Sequence, residues 1–287
     1  MGTSSMYTGP SKNPLLPTDF QDTSSSSTTD NENPKESKED DQNGNNDKDD
    51  NNDSNNNQQN TNSDIDNWST AKRNMSRYAS GTSKNFKRVV SSYVKAHGGA
   101  KNAAKSAVGG IRSTANFGRF LINSSNQGIR ETLSQYQIAY EGRTAKDILT
   151  DVINKLAPIP ITKEDSVARK ALIRTMEVLY ERIEDENIDI STLDKIDKVL
   201  LNEMIPIQIE SYIYERIIND LGSRIEVNSS SPADAINKEN ELKEYISSKV
   251  EATLNGTDFS KLDFSKNIEK EVVYLYNQCY KVMEDML

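Results

Sequence analysis

The sequence predicts an all-α protein: a helical C-terminal domain preceded by a long disordered N-terminal tail. Three observations lead there. Apolar residues from Trp68 onward recur at i, i+3, i+4 and i+7, the spacing of one helix face, and no segment alternates with period two for long enough to make a strand. Residues 18–67 are dominated by Ser, Thr, Asn, Asp, Gln and Glu, with Phe20 and Ile65 the only sizeable apolar side chains. Such a stretch cannot bury enough apolar surface to offset chain entropy. Finally, the net charge of −9 conceals three blocks of alternating sign.

Residues 1–17, MGTSSMYTGPSKNPLLP, form a short head whose composition is quite unlike that of residues 18–67. Gly2, Thr3, Ser4, Ser5, Gly9, Pro10, Pro14, Leu15, Leu16 and Pro17 are placed as a recognition string would be, although chain ends are often merely frayed. Residues 18–67 then act as a tether without secondary structure. A coil of about fifty residues has an r.m.s. span of roughly 40 Å, enough for the head to visit a site well away from the body.

Residues 1–66 carry 4 Lys and 14 Asp+Glu, whereas the stretch from Asn67 to Arg130 carries 12 Lys+Arg and no acid. The cations of this block, residues 68–130, are Lys72, Arg73, Arg77, Lys84, Lys87, Arg88, Lys95, Lys101, Lys105, Arg112, Arg119 and Arg130. Three readings are open. The block could neutralise phosphates of a nucleic acid. It could dock, with Trp68, on an acidic protein surface, either a partner's or this chain's own C-terminal domain. Or it could be solvated helix surface. Counter-charge on both sides and the even spread of the cations favour protein docking. The acidic tether would screen the block and weaken any nucleic-acid binding.

Within the block, Trp68, Ala71, Met75, Tyr78 and Ala79 keep helical spacing. Phe86, Val89, Val90, Tyr93, Val94 and His97 form one stripe that ends at Gly98-Gly99. Ala100, Ala103, Ala104, Ala107, Gly110, Ala115 and Gly118 give a small-residue surface suited to close helix approach.

Residues 131–287 read as an acidic helical domain. Thr144 with Asp147 and Thr162 with Asp165 are capping signals, separated by the stops Pro158 and Pro160. Ser191 opens a third helix with Leu193, Ile196, Val199 and Leu200. Ile207, Ile209, Tyr212, Ile213, Ile217 and Leu221 make a fourth that ends at Gly222. Ser231-Pro232 starts a fifth with Ile236, Leu242, Tyr245, Ile246 and Val250. Val272, Val273, Leu275, Tyr276, Cys279, Tyr280 and Met283 form the last. A chain segment of this length can bury a full core.

No catalytic constellation is legible. With one His and one Cys, the sequence excludes a Cys/His zinc site, a disulfide framework, and any triad not built on His97. His97 is explained as a cation at a helix C-terminus, and Cys279 as a small buried hydrophobe. Gly98-Gly99-Ala100-Lys101 shares only a fragment with a phosphate loop. No metal or cofactor is expected. The longest apolar runs are too short to span a membrane, there is no apolar signal segment, and Met6 stands where a myristoylation motif needs Ser or Thr. The expected location is the cytoplasm.

The head, the order Trp68-x-x-Ala71-Lys72-x-x-Met75-x-x-Tyr78 and the stretch Tyr93-Val94-Lys95-Ala96-His97-Gly98-Gly99-Ala100-Lys101 resemble the QatB proteins of the bacterial Qat anti-phage defence system. The resemblance spans most of the chain, its specific part lying in the head and residues 68–121. It implies a non-enzymatic accessory protein whose partners are a QueC-like enzyme (QatC), an ATPase (QatA) and a TatD-like nuclease (QatD). QueC-type enzymes activate the carboxylate of a 7-deazaguanine with ATP and pass it to a nitrogen nucleophile. The resemblance therefore implies Gly2, freed by removal of Met1, as a modification site, with Thr3, Ser4 and Ser5 in the enzyme's channel. An α-amine of pKa about 7.7–8.0 is roughly one-tenth free base at pH 7, against less than about a thousandth for a Lys at about 10.4. The alternative reading is a nucleic-acid-binding adaptor acting through residues 68–130.

Overall fold

The computed structural model describes residues 55–183, 193, 194, 196–262 and 268–285, with side chains from residue 66 onward except at Ile183. Among these residues every regular element is helical. The head, with Gly2 and its neighbours, and Ser191 lie outside them.

Helix α1 (Asn55–Ala79) and helix α2 (Phe86–Ala96) form a packed pair joined by a short turn. Gly81 takes φ +73° in that turn, a region open to glycine. Asn85 caps α2 by accepting the Arg88 N–H at 3.2 Å. Ala71, Met75, Tyr78 and Ala79 of α1 face Val89, Val90, Tyr93 and Val94 of α2, all buried as their spacing predicts. The helix starts at Asn55, so residues 55–67, expected to belong to the unstructured tether, are helical. Adding a residue to an existing helix costs far less than nucleating one, and the buried face from Ala71 supplies the nucleus.

Gly98 and Gly99, at φ +78° and +88°, end α2 and turn the chain into α3 (Ala100–Lys105). Helix α4 (Val108–Gln127) comes next, then α5 (Ile129–Gln135). The small-residue surface does what its composition predicts. A Cβ on Gly110 would stand 2.5 Å from the ring of Tyr212, and one on Gly109 would stand 2.9 Å from the Glu164 carbonyl oxygen. Only glycines allow α4 this depth.

Thr144 caps α6 (Ala145–Leu156), accepting the Asp147 N–H at 3.2 Å. At the start of α7 (Lys163–Ile183) the capping is reciprocal. The Asp165 N–H donates to Thr162 Oγ1 and the Thr162 N–H donates to Asp165 Oδ2, both at 3.1 Å.

Two helix boundaries depart from expectation in the next stretch. Helix α8 runs unbroken over Lys198–Asn228, capped by Asp197, which accepts the Leu200 N–H at 2.8 Å. The third and fourth predicted helices are thus joined here, through Pro206. Gly222 does not end it either. Ile225, one turn further, is fully buried, and that burial outweighs the roughly 1 kcal/mol cost of a glycine in a helix interior. Val199, placed on an apolar stripe by spacing, is 65 % exposed, as is Ile236 to 58 % on the next helix.

Ser231 and Pro232 start α9 (Pro232–Leu254) as predicted, Ser231 Oγ accepting the Asp234 N–H at 3.1 Å. A 3₁₀ turn over Phe259–Lys261 leads toward α10 (Ile268–Glu284). Helix α8 is the axis of the packing, touching α1, α4, α7 and α9, while α10 lies against α2, α3, α4 and α9. The boundary that charge draws at residue 130 has no counterpart in the packing. Apolar residues from both sides of it form one core, within one compact unit.

Candidate functional site

The cations of the basic block do not hold that core together. What joins α1 and α2 to the acidic helices is apolar burial and tyrosine hydroxyls. Tyr78 OH shares its one proton between the Lys238 carbonyl and Glu241 Oε2, each at 2.9 Å, and Tyr93 OH donates to Asp220 Oδ2 at 2.8 Å. Lys72, Arg73, Arg77, Lys84, Lys87, Arg88, Lys95, Lys101, Lys105, Arg112 and Arg130 stay exposed, and Arg119 is half-buried, donating to Asn116 Oδ1 at 2.9 Å. Arg112 lies 3.9 Å from Asp165 and Arg130 lies 3.4 Å from Asp194.

Four are brought together. On α1, Asn67, Thr70, Arg73, Asn74 and Arg77 share one face by helical spacing. On α2, Arg88, Ser92 and Lys95 do the same, and the two faces line a groove of about 530 Å³. Its rim holds Arg73, Arg77, Arg88 and Lys95 and no carboxylate. Arg73 Nη2 donates to Thr70 Oγ1 at 3.2 Å, and none of the four pairs with an acid among the described residues. The groove has no aromatic lining, so it offers no platform for base stacking. It can hold an extended anion by charge and side-chain hydrogen bonds.

Trp68, expected in a docking surface, faces inward. Its ring meets Tyr93 edge-on at 5.8 Å and His97 at 5.0 Å. His97 is not the cation that its place at a helix end suggests. Burial, then the Arg216 charge, lowers its pKa to about 4, against the pull of Asp220, so the imidazole is neutral at pH 7. Its Nε2 is buried 3.9 Å from Asp220 Oδ2, beyond hydrogen-bond reach. Cys279 is buried as expected, its thiol pushed up to about 12 by desolvation.

Sequence reasoning missed the polar centre behind these helices. Arg216 of α8 is 5 % exposed and donates to the Ala103 carbonyl at 2.8 Å and to Ser106 Oγ at 2.9 Å. Glu164 of α7 lies 3.9 Å from it and accepts from Tyr212 OH. Burial raises the Glu164 pKa, and Arg216 opposes that shift. Asp220, one turn along α8, takes Tyr93 OH and Lys163 Nζ, the latter at 2.8 Å. The signal was present: Arg216 occupies the stripe of Ile209, Tyr212 and Ile213, where an apolar residue is expected. Every group in this centre is engaged in holding α3, α7 and α8 together, which makes it structural.

Fold and surface together define a class, an all-helical protein whose most distinctive exposed feature is a cationic groove. The chain belongs to the QatB family, described as Qat anti-phage system associated protein QatB, whose sequence model matches residues 98–283. It is therefore an accessory protein of an anti-phage system, and the other components of that system are its partners. The match covers the helical body from Gly98 onward; the head and the α1–α2 groove precede it. No curated protein and no solved structure matches the chain. No helix among the described residues is long and apolar enough to cross a membrane.

Proposed function

We propose that this chain serves its defence system as a modified substrate and scaffold, not as an enzyme. Gly2, exposed by removal of Met1, receives a 7-deazaguanine from the QueC-like partner QatC through an amide to its α-amine. Thr3, Ser4 and Ser5 thread the enzyme's channel, and Gly9, Pro10, Pro14, Leu15, Leu16 and Pro17 hold the head to it. The helical body binds the ATPase QatA and the TatD-like nuclease QatD. The observation that carries this reading is the contrast between a distinctive head and the Asn/Asp/Ser-rich stretch separating it from α1, in a chain of this family.

The test is the mass of the N-terminal peptide from protein made with and without the QueC-like neighbour. A deazaguanine adduct on Gly2 in the first sample alone is the expected result. A bare Gly2 in both would remove the modification and leave the head a docking peptide. A second reading, a nucleic-acid-binding adaptor, is favoured by the unpaired cations Arg73, Arg77, Arg88 and Lys95 in one groove. It predicts that charge reversal there abolishes defence while the head is dispensable.

A further inference from the structure

Among the described residues, the lining of the α1–α2 groove is made of cations, hydroxyls and amides, with no apolar or aromatic side chain. That composition narrows what can sit there. A protein partner draws its affinity from apolar and aromatic anchors buried at the centre of the contact, and bases need rings to stack on. The groove offers neither, which leaves a polyanion held by its charges. We propose that the α1–α2 groove binds the sugar–phosphate backbone of a single nucleic-acid strand, irrespective of base sequence. This site rests on the second, nucleic-acid reading above and adds to it the strandedness and the part of the ligand that is held.

The chemistry favours phosphate. Three of the four cations are Arg, whose planar fork pairs two N–H groups with two oxygens of one phosphate. The side-chain amides of Asn67 and Asn74 share a wall with Arg73 and Arg77, and such amides commonly donate to phosphate oxygens. No acid lies between Asn67 and Arg130 in sequence, so neither wall carries a charge that repels a phosphate. Geometry then selects one strand. Two packed helices lie about 8–10 Å apart, so the furrow between them admits one strand with cations on both sides. Arg73 and Arg77 stand on one wall, Arg88 and Lys95 on the other. A duplex can present only the ridge of one of its strands. From Asn67 to Arg77 α1 rises about 15 Å, room for about four phosphates at the roughly 3.4 Å spacing of one B-form strand, and fewer in an extended one. The chain's net charge of −9 opposes any polyanion at long range. Attraction is therefore local to the basic helices, and the expected affinity is in the non-specific range of about 1–100 µM.

Fluorescence anisotropy with the full chain tests this site, using a labelled single strand of mixed sequence, its duplex, and a poly-glutamate of matched charge. The single strand should bind at least about fivefold more tightly than the duplex, whereas unconfined cations would favour the duplex for its higher charge density. Log affinity should fall against log salt with a slope of about −2 to −3, the value for three or four phosphates of a single strand. Arg73→Glu with Arg88→Glu should weaken binding at least about tenfold, and Lys101→Glu with Lys105→Glu, exposed and outside the groove, by less than about threefold. All four side chains are exposed, so the melting temperature should not move. A duplex preference, or binding that survives reversal of Arg73 and Arg88, overturns this site and leaves the nucleic-acid reading standing. No binding of single strand or duplex at about 0.1 mM overturns both. Poly-glutamate bound as tightly as the single strand also overturns the site, and gives the groove to an acidic protein.

Discussion

The guanidinium of Arg216 donates to the backbone carbonyl of Ala103 at 2.8 Å, across a separation of 113 residues in sequence. That bond ties the middle of α8 to α3, and it is made by a charge from which water is almost wholly excluded. Burial alone works against the charge. The Tyr280 and Tyr93 hydroxyls and Glu164 more than offset it, leaving the guanidinium firmly protonated.

Removing that cation should therefore be costly. Arg216→Ala leaves Glu164 without its counter-charge and Ala103 and Ser106 without their donor, and a broken buried pair typically costs about 3–5 kcal/mol. Urea denaturation should show the midpoint fall accordingly. A loss below about 1 kcal/mol, the range of an exposed ion pair, would mean that water or a neighbour replaces the guanidinium.

Two glycines separate steric need from backbone need. Gly110→Ala drives a methyl into the Tyr212 ring and should cost about 1–3 kcal/mol as overpacking. Pairing it with Tyr212→Leu should cost less than the two changes added, because they share one contact. Gly81→Ala meets open space, and its penalty comes only from φ +73°, about 1–2 kcal/mol. No partner change should relieve that one. Thermal melts of the single and double variants decide both.

His97 sets a pH dependence whose sign is fixed by its neutral native state. Its pKa falls from 6.5 to about 4 on folding, so between those values the unfolded chain binds the extra proton. Stability from this group is complete above about pH 6.5 and is lost as pH falls toward 4, by about 3 kcal/mol at most. Glu164 acts oppositely: its raised pKa favours the fold below its unfolded value and loses that contribution as pH rises through the folded one. A His97→Gln variant should flatten the fall in urea stability between pH 6.5 and 4. An unchanged slope would assign the fall to the carboxylates.

Gly2→Pro should abolish protection against phage while leaving the melting temperature unchanged, because Pro presents a hindered secondary amine to an acylating enzyme. Full protection from that variant would remove Gly2 from the proposed function. Comparing it with Arg73→Glu plus Arg88→Glu in the same assay separates the head from the groove.

The apolar stripes, the caps at Thr144, Thr162 and Ser231, and the small-residue face of α4 were legible because each is a local pattern. Helix ends in the α8 region were not. Gly222 carries a stop signal that the burial of Ile225 overrides, and Val199 keeps the right spacing on a face that no other helix among the described residues covers. The cations of the groove were each identified, but their convergence depends on how α1 lies on α2. The partners of Arg216 come from α3, α7 and α10, which no spacing along α8 reveals. His97 misled because its helix-end position was visible and its burial under Trp68 was not.

Helix α10 closes over elements made long before it. Ser91 Oγ donates to the Glu284 carbonyl at 2.9 Å across 193 residues, and the Ala100 N–H donates to the Glu284 carboxylate at 2.9 Å. On the ribosome, the α2–α3 corner must wait until Glu284 has been made before its cover arrives. Ser91 and Ala100 stay without those partners during synthesis, the interval in which incomplete chains are most prone to stick to one another. Contacts so distant in sequence also slow the final closure. Completion of the α2–α3 corner is thus tied to how quickly α10 leaves the exit tunnel.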